Sequence, residues 1–340
     1  MRVPLEWLRE YVDVDEEAEV LAARLAEIGL PAEAIERVGD EVVLDLEITA
    51  NRPDCMSLLG IAREVALALG RRVRRPPGLV SPGRRAPRRA AARPRAGSMR
   101  APAHAAVAIE DPVGCPRFTA AVIEGVRVGP APEWMRRRLE AAGVRAVNNV
   151  VDVTNYVMLE TGQPMHAFDY DRLEGRRLVV RRARPGEMLE TLDEVVRTLD
   201  DTVLVVADAA RAVALAGIIG GRATEIGPET TTVLLEAAYW DPATVARTAR
   251  RLGVRTEAVA RFERGADPDI APRAQARAMG LLAEVAGGRP SGGLVDERAG
   301  RIAPRAIRLR PDRAVALLGV EITPGEMTRT LRALGCAVTA

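Results

Sequence analysis

The chain contains no lysine; all 49 basic residues are arginine. That absence rules out a P-loop lysine, a Schiff base and a lysine general base. Aromatic residues make up 3% of the 340 residues, too few for a row of base-stacking platforms. The three cysteines, Cys55, Cys115 and Cys336, are widely separated. They form neither a disulfide framework nor a zinc spacing, and they suit a reducing cytoplasm. No apolar run reaches the ~18 residues of a membrane span. The opening MRVPLEWLREYVDVDEE is amphipathic and acidic, unlike a signal or transit peptide. Acidic residues are missing from 65–109, which holds eleven arginines. The net charge of +2 is therefore local: outside that stretch 38 arginines face 47 acids.

What the chain does have is apolar content, 48% of its residues, enough for a substantial core. Its length suggests two or three domains. Residues 1–75 read as a small α/β unit. A first helix opens at Pro4 and runs to Tyr11. A second is capped by Asp15, striped by Val20, Leu21, Leu25 and Ile28, and closed by Gly29. A strand alternates through Val42, Leu44, Leu46 and Ile48, and a third helix spans Met56–Leu69. Residues 76–104 read as an Arg/Pro/Ala-rich linker, either a solvated spacer or a basic arm for RNA phosphates. Residues 105–290 form the main domain. Strand-like runs lie at Phe118–Val128, Leu178–Arg184, Val203–Asp208, Ala212–Ile219 and Thr232–Ala238. Helix-like runs lie at Glu133–Ala142, Asn149–Leu159, Pro242–Leu252 and Ile270–Val285. The mixed order predicts an α+β fold with mixed sheets and flanking helices, not a doubly wound repeat. GIIGG at 217–221 lacks dinucleotide spacing. Residues 291–304 read as a second linker. Residues 305–340 read as an incomplete further unit: a strand at Ala306–Arg310, a helix at Pro311–Leu318 and another from Pro324.

The segment NNVVDVTNYVMLETGQPMH, Asn148–His166, is dense in side-chain donors and acceptors and carries one of two histidines. Buried polar groups cost about 1–3 kcal/mol each when unpaired. Such a segment is either a structural hydrogen-bond network or a pocket that reads a polar ligand.

Four stretches together carry a resemblance: LEITANRPDCMSLLGIAREVA (46–66), NNVVDVTNYVMLETGQPMHAFD (148–169), LAGIIGG with LLEAAYWDP (215–221 and 234–242), and RRLGVRTEAVARFERGADP (250–268). In this order they resemble the β subunit of bacterial phenylalanine–tRNA ligase, in the short form that lacks an inserted tRNA-binding OB-fold domain. The resemblance implies an N-terminal α/β domain, an editing (B3/B4-like) domain at 105–290 and the start of a B5-like domain at 305–340. The chain is read as stopping at Ala340, before the synthetase-like core and the anticodon-binding domain. It implies an α subunit as partner in an (αβ)2 tetramer, tRNA(Phe) as RNA partner, and ATP and Mg2+ for the whole ligase.

The resemblance also implies an editing site that hydrolyses tyrosine from tRNA(Phe). Glu236 would accept the tyrosine hydroxyl. His166 and Asn155 would position the ester, the terminal ribose or the attacking water. Gly217, Gly220 and Gly221 would form a wall of close approach, and Thr256 and Ala258 would line the aromatic ring. Val259 stands where the family has a small polar residue and would change the pocket wall's polarity. Asn148, Asn149 and Asp152 are expected as scaffolding, and Arg261, Glu263, Arg264 and Asp267 as an ion-pair network around a turn. Two other readings stay open: a free-standing deacylase of mischarged tRNA, and a non-catalytic RNA-binding or assembly module.

Overall fold

The computed structural model describes residues 1–79, 105–300, 302 and 306–339. Most of the Arg-rich 76–104 segment lies outside them. The N-terminal unit runs β1 (Arg2–Pro4), α1 (Leu5–Arg9), α2 (Ala18–Glu27), β2 (Ala32–Val38), β3 (Glu41–Leu46) and α3 (Leu58–Leu69). Its strands form a sheet in the order β1-β3-β2. Ser57 caps α3 and Gly70 closes it in the left-handed region. Two expectations are corrected. The N-cap of α2 is Glu17, with no side-chain bond, so Asp15 caps nothing. Leu21 and Leu25 are buried, but Val20 is 50% and Ile28 37% exposed, so the apolar stripe is narrower than its spacing implied.

The main body continues with β4 (Ala106–Ile109), β5 (Arg117–Glu124), α4 (Glu133–Ala141), α5 (Asn149–Thr161), β6 (Met165–Asp169), β7 (Arg177–Arg182), β8 (Met188–Glu190), β9 (Val196–Thr198), β10 (Leu204–Ala207), β11 (Ala212–Leu215), β12 (Ile219–Gly220), β13 (Thr232–Tyr239), α6 (Pro242–Leu252), α7 (Glu257–Phe262), α8 (Ala271–Ala286) and β14 (Arg289–Arg298). Two larger sheets organise it, β12-β11-β10-β7-β4 and β14-β5-β13-β6, beside a small β8-β9 ribbon. Only β4 and β7 pair in parallel among the described strands. The α+β expectation with mixed sheets holds. Residues 289–298 are an edge strand on β5, not a connector. The register shift between Ser291 and Leu294 accommodates the Gly292–Gly293 pair as a bulge, which is why the stretch reads as a loop. The last unit holds α9 (Pro311–Leu318) and α10 (Pro324–Ala333), but no strand forms at 306–310.

The four-stranded sheet has two apolar faces, and strand alternation assigns them. Ala121, Ile123, Ala167, Val233 and Leu235 face α5 and α8, in one continuous core with Trp7, Leu44 and Ile61 of the N-terminal unit. Phe118, Ala120, Val122, Phe168, Leu234 and Ala238 face the five-stranded sheet in a second core. The polar segment beginning at Asn148 is largely scaffold. Asn148 caps α5 through Val150 and Val151. Asn149 donates to the Arg127 and Val285 carbonyls at 2.9 and 3.1 Å, and Asp152 accepts from the Val147 amide at 2.8 Å.

A buried polar junction ties α1, α5 and α8 together. Glu160, fully buried, accepts from the Tyr11 hydroxyl at 2.7 Å and from Arg277 Nε and Nη2 at 3.0 and 3.1 Å. Trp7 donates to the same Tyr11 hydroxyl at 2.8 Å and stacks on Tyr156 at 4.4 Å. Burial raises the Tyr11 hydroxyl pKa far above its ordinary value, with the nearby Glu160 adding to the rise, so it stays a donor. Removing the shared acceptor takes the carboxylate partner from the half-buried Arg277 guanidinium and from the buried Tyr11 hydroxyl proton. Glu160→Ala is expected to lower unfolding stability by about 3–5 kcal/mol. Urea denaturation followed by tryptophan fluorescence measures this, with Glu160→Gln losing less.

Candidate active site

β13 lies between β5 and β6, and its register decides the site. Glu236 pairs with Ala120 on one side and His166 on the other. Glu236 shares strand parity with Leu234 and Ala238, and so points toward the five-stranded sheet. His166, of the same parity as Phe168, points the same way, with its ring edge-on to the Phe168 ring at 4.4 Å and 83°. Directly opposed residues in an antiparallel pair have Cβ atoms roughly 4.5–5.5 Å apart. The two side chains are thus neighbours in the second core.

They open into a cavity of about 70 Å3. At ~10–15 Å3 per water it admits several waters. Pro164, Met165 and His166 contribute one wall; Val206, Ala214 and Leu215 the floor; and Gly217–Gly220 the opposite wall. Glu236, Trp240, Ala258 and Phe262 complete it. Two atoms in this apolar surround, Glu236 Oε2 and His166 Nε2, are sealed from solvent and have no hydrogen-bond partner. Burial alone pushes the Glu236 carboxyl up to about 8 and the His166 imidazole down to about 4. At neutral pH both groups are therefore uncharged. The carboxyl can donate or accept, and the imidazole keeps one nitrogen as an acceptor.

Glycine is required where the wall touches these groups. A Cβ on Gly220 would lie 2.2 Å from His166 Cε1 and 2.6 Å from Nε2. One on Gly217, which sits at φ +68°, would meet Trp240 Cδ1 at 2.6 Å. Gly221 packs against the Val213 carbonyl, to which its own amide donates at 2.8 Å, and is not part of the lining.

Five of the eight residues expected at the site therefore surround one cavity: His166, Glu236, Gly217, Gly220 and Ala258. Thr256 instead caps α7 through the Val259 amide and donates to the Ile218 carbonyl at 3.0 Å, clamping the glycine wall from behind. Asn155 is half-buried on α5, the helix against the other face of the sheet, and is not among the lining residues. Val259 is buried in the second core rather than on the cavity wall. The expected network around the turn is reduced to one pair, Arg261 with Glu257 at 2.6 Å; among the described residues Glu263, Arg264 and Asp267 show no ion pair. Trp240, Phe262, Met165 and Leu215 were missed. Trp240 was within reach, because it shares the even parity of Glu236 and lies one residue past the end of the same strand.

A possible cation cluster lies elsewhere, at Asp54, Cys55 and Glu64. Arg52 and Arg63 already bridge both acids, and burial holds the Cys55 thiol up at about 12, so the donor set is neutralised and protonated. It does not fit a metal ion.

Residues 114–287, which include both orphaned atoms, match the model of the B3/4 domain. The chain belongs to the B3/4 domain family. It is 50% identical over 304 residues to the phenylalanine–tRNA ligase beta subunit of Moorella thermoacetica, covering 89% of this chain and 36% of that protein. It is 41% identical over 340 residues to that of Rhodopirellula baltica, covering 100% and 48%. The resemblance carried by the four motifs is thus shown along the chain, which spans between 36% and 48% of the length of these relatives. An N-terminal fragment of the phenylalanyl-tRNA synthetase beta subunit from Pyrococcus horikoshii aligns over 98% of this chain and 88% of its own, at 15% identity and a TM-score of 0.44.

The raised carboxyl has a sign that can be measured. Folded Glu236 keeps its proton to about pH 8, while an unfolded glutamate releases it near 4.5. The folded state binds more protons in that window, so stability falls as pH rises through it. Glu236→Gln is expected to remove this slope, its advantage over the wild type growing from pH 5 to pH 8. Melting temperatures across that range test it, and parallel curves would refute the assignment.

Proposed function

We propose that the cavity is an editing site that hydrolyses tyrosine esterified to tRNA(Phe), in a chain serving as the β subunit of a phenylalanine–tRNA ligase. The observation that carries this reading is the pair of orphaned polar atoms, Glu236 Oε2 and His166 Nε2, in an otherwise apolar cavity. A synthetic pocket built for phenylalanine separates an isostere with one added hydroxyl by only about a hundredfold. A second pocket that leaves buried polar groups unpaired around phenylalanine, and pairs them with tyrosine, discriminates far more strongly.

In this reading Glu236, uncharged, exchanges hydrogen bonds with the phenol in either direction. Trp240, Phe262 and Met165 supply the apolar contact for the ring. His166, neutral, accepts from the attacking water or from a ribose hydroxyl. Water adds to the ester carbonyl, the ester bond breaks, and tyrosine leaves as the free acid while the ribose oxygen takes a proton. Among the described residues no Ser-His-Asp or Cys-His set lines the cavity, and in this reading the nucleophile is water, aided by the vicinal ribose hydroxyl. Partners follow from the same reading: tRNA(Phe), and an α subunit in an (αβ)2 assembly that carries the synthetic site. ATP and Mg2+ would act on that subunit. The cavity here, with its one carboxyl neutral, offers a magnesium ion no anionic oxygen.

The test is hydrolysis of Tyr-tRNA(Phe) beside Phe-tRNA(Phe) by the purified chain. Tyrosine release is expected to exceed phenylalanine release by about a hundredfold or more, with Glu236→Ala losing the preference and His166→Ala losing rate. A folded chain that leaves both esters intact overturns the reading.

A further inference from the structure

The short helix α7 builds part of the cavity with Ala258 and Phe262, one turn apart on its inner face. Its other face carries Arg261, only 2% exposed. Arg261 Nη1 donates to the Glu257 carbonyl at 2.9 Å and to Glu257 Oε2 at 2.6 Å. Its Nε reaches across 205 positions of sequence to the Met56 carbonyl at 3.2 Å. One turn on, Arg264 Nη1 lies 3.0 Å from Met56 Sδ and 3.1 Å from the Ala260 carbonyl.

The segment that receives them is itself held firmly. Arg52 donates to Asp54 at 3.1 and 2.9 Å and to Glu64 at 2.5 Å. Ser57 Oγ donates to the Asp54 carbonyl at 3.1 Å and accepts from the Gly60 amide at 3.0 Å. A buried guanidinium with one carboxylate partner is poor value for stability alone, because desolvation offsets the pairing. An apolar side chain would fill the same space. What the guanidinium adds is direction, since its rigid fork joins a fixed carbonyl of the N-terminal unit to the backbone of the cavity helix.

We propose that Arg261 is a positioning residue, through which segment 52–57 of the N-terminal unit holds α7, and with it the Ala258–Phe262 wall, in the geometry the cavity needs. The N-terminal unit then contributes to the site without touching the ligand. The kinetic part of the test rests on the editing reading; the structural part does not.

The experiment compares full-length Arg261→Met, Arg261→Lys and Ser57→Ala by amide hydrogen exchange and by hydrolysis of Tyr-tRNA(Phe) and Phe-tRNA(Phe). In Arg261→Met the amides of α7 are expected to exchange about tenfold faster, the weight of roughly one lost hydrogen bond, with α8 unchanged. The KM for Tyr-tRNA(Phe) rises and the tyrosine preference narrows, while kcat changes less. Arg261→Lys recovers part of both effects. Ser57→Ala, which leaves Arg261 in place and loosens its anchor, moves in the same direction by less, and it decides the matter if Arg261→Met does not fold. Unchanged α7 exchange in the folded variants, or equal acceleration in α8, overturns the proposal. If the wild type releases no tyrosine, the editing reading falls by itself, and the exchange data still decide whether Arg261 positions α7.

Discussion

The register of three antiparallel strands is the constraint on which the site depends. β13 is hydrogen-bonded on both sides, so a slip by one residue would turn Glu236 out of the second core and into the first. The strand cannot slip cheaply, because Leu234 and Ala238 fill one core while Val233 and Leu235 fill the other. Packing on both faces therefore fixes where a costly polar group ends up. The apolar residues around Glu236 hold it in place, and the same residues make its carboxyl hard to ionise.

This treatment of charge contrasts with the rest of the molecule. Arg117, also buried, is met by Asp296 at 2.8 Å and Asp269 at 2.7 Å. Glu160 is met by Arg277 and Tyr11. In both cases partners replace the water lost on burial. Glu236 and His166 have no such partners, and each loses its charge instead. Arg117 and Glu160 are thus met from within the chain, whereas Glu236 Oε2 and His166 Nε2 are left open in one apolar cavity.

The N-terminal unit belongs to this account because it shares a core with the helical side of the four-stranded sheet. The Tyr11–Glu160–Arg277 junction and the Arg261–Met56 bond approach that interface from different helices. Both are polar contacts between segments far apart in the chain, and both constrain angle as well as distance.

Much of the architecture is legible from the chain alone. Apolar strand-like runs such as Thr232–Ala238, and helices with clear stops such as Pro242–Leu252 before Gly253, come from local chemistry and appear where the pattern puts them. The residue set His166, Glu236, Gly217, Gly220 and Ala258 is legible through its motifs. Other features depend on partners that no local pattern records. β14 forms on Gly-rich sequence because it pairs along the edge of β5. Thr256 turns from pocket lining to helix cap because the Ile218 carbonyl lies within reach. Val259 packs in the second core with Phe262 rather than lining the cavity, a placement that residue type does not reveal. The sequence by itself determined which side chains are costly to bury and which segments alternate. Only the tertiary structure decided which of those side chains meet and which stay unpaired, because both depend on strands and helices brought together from distant parts of the chain.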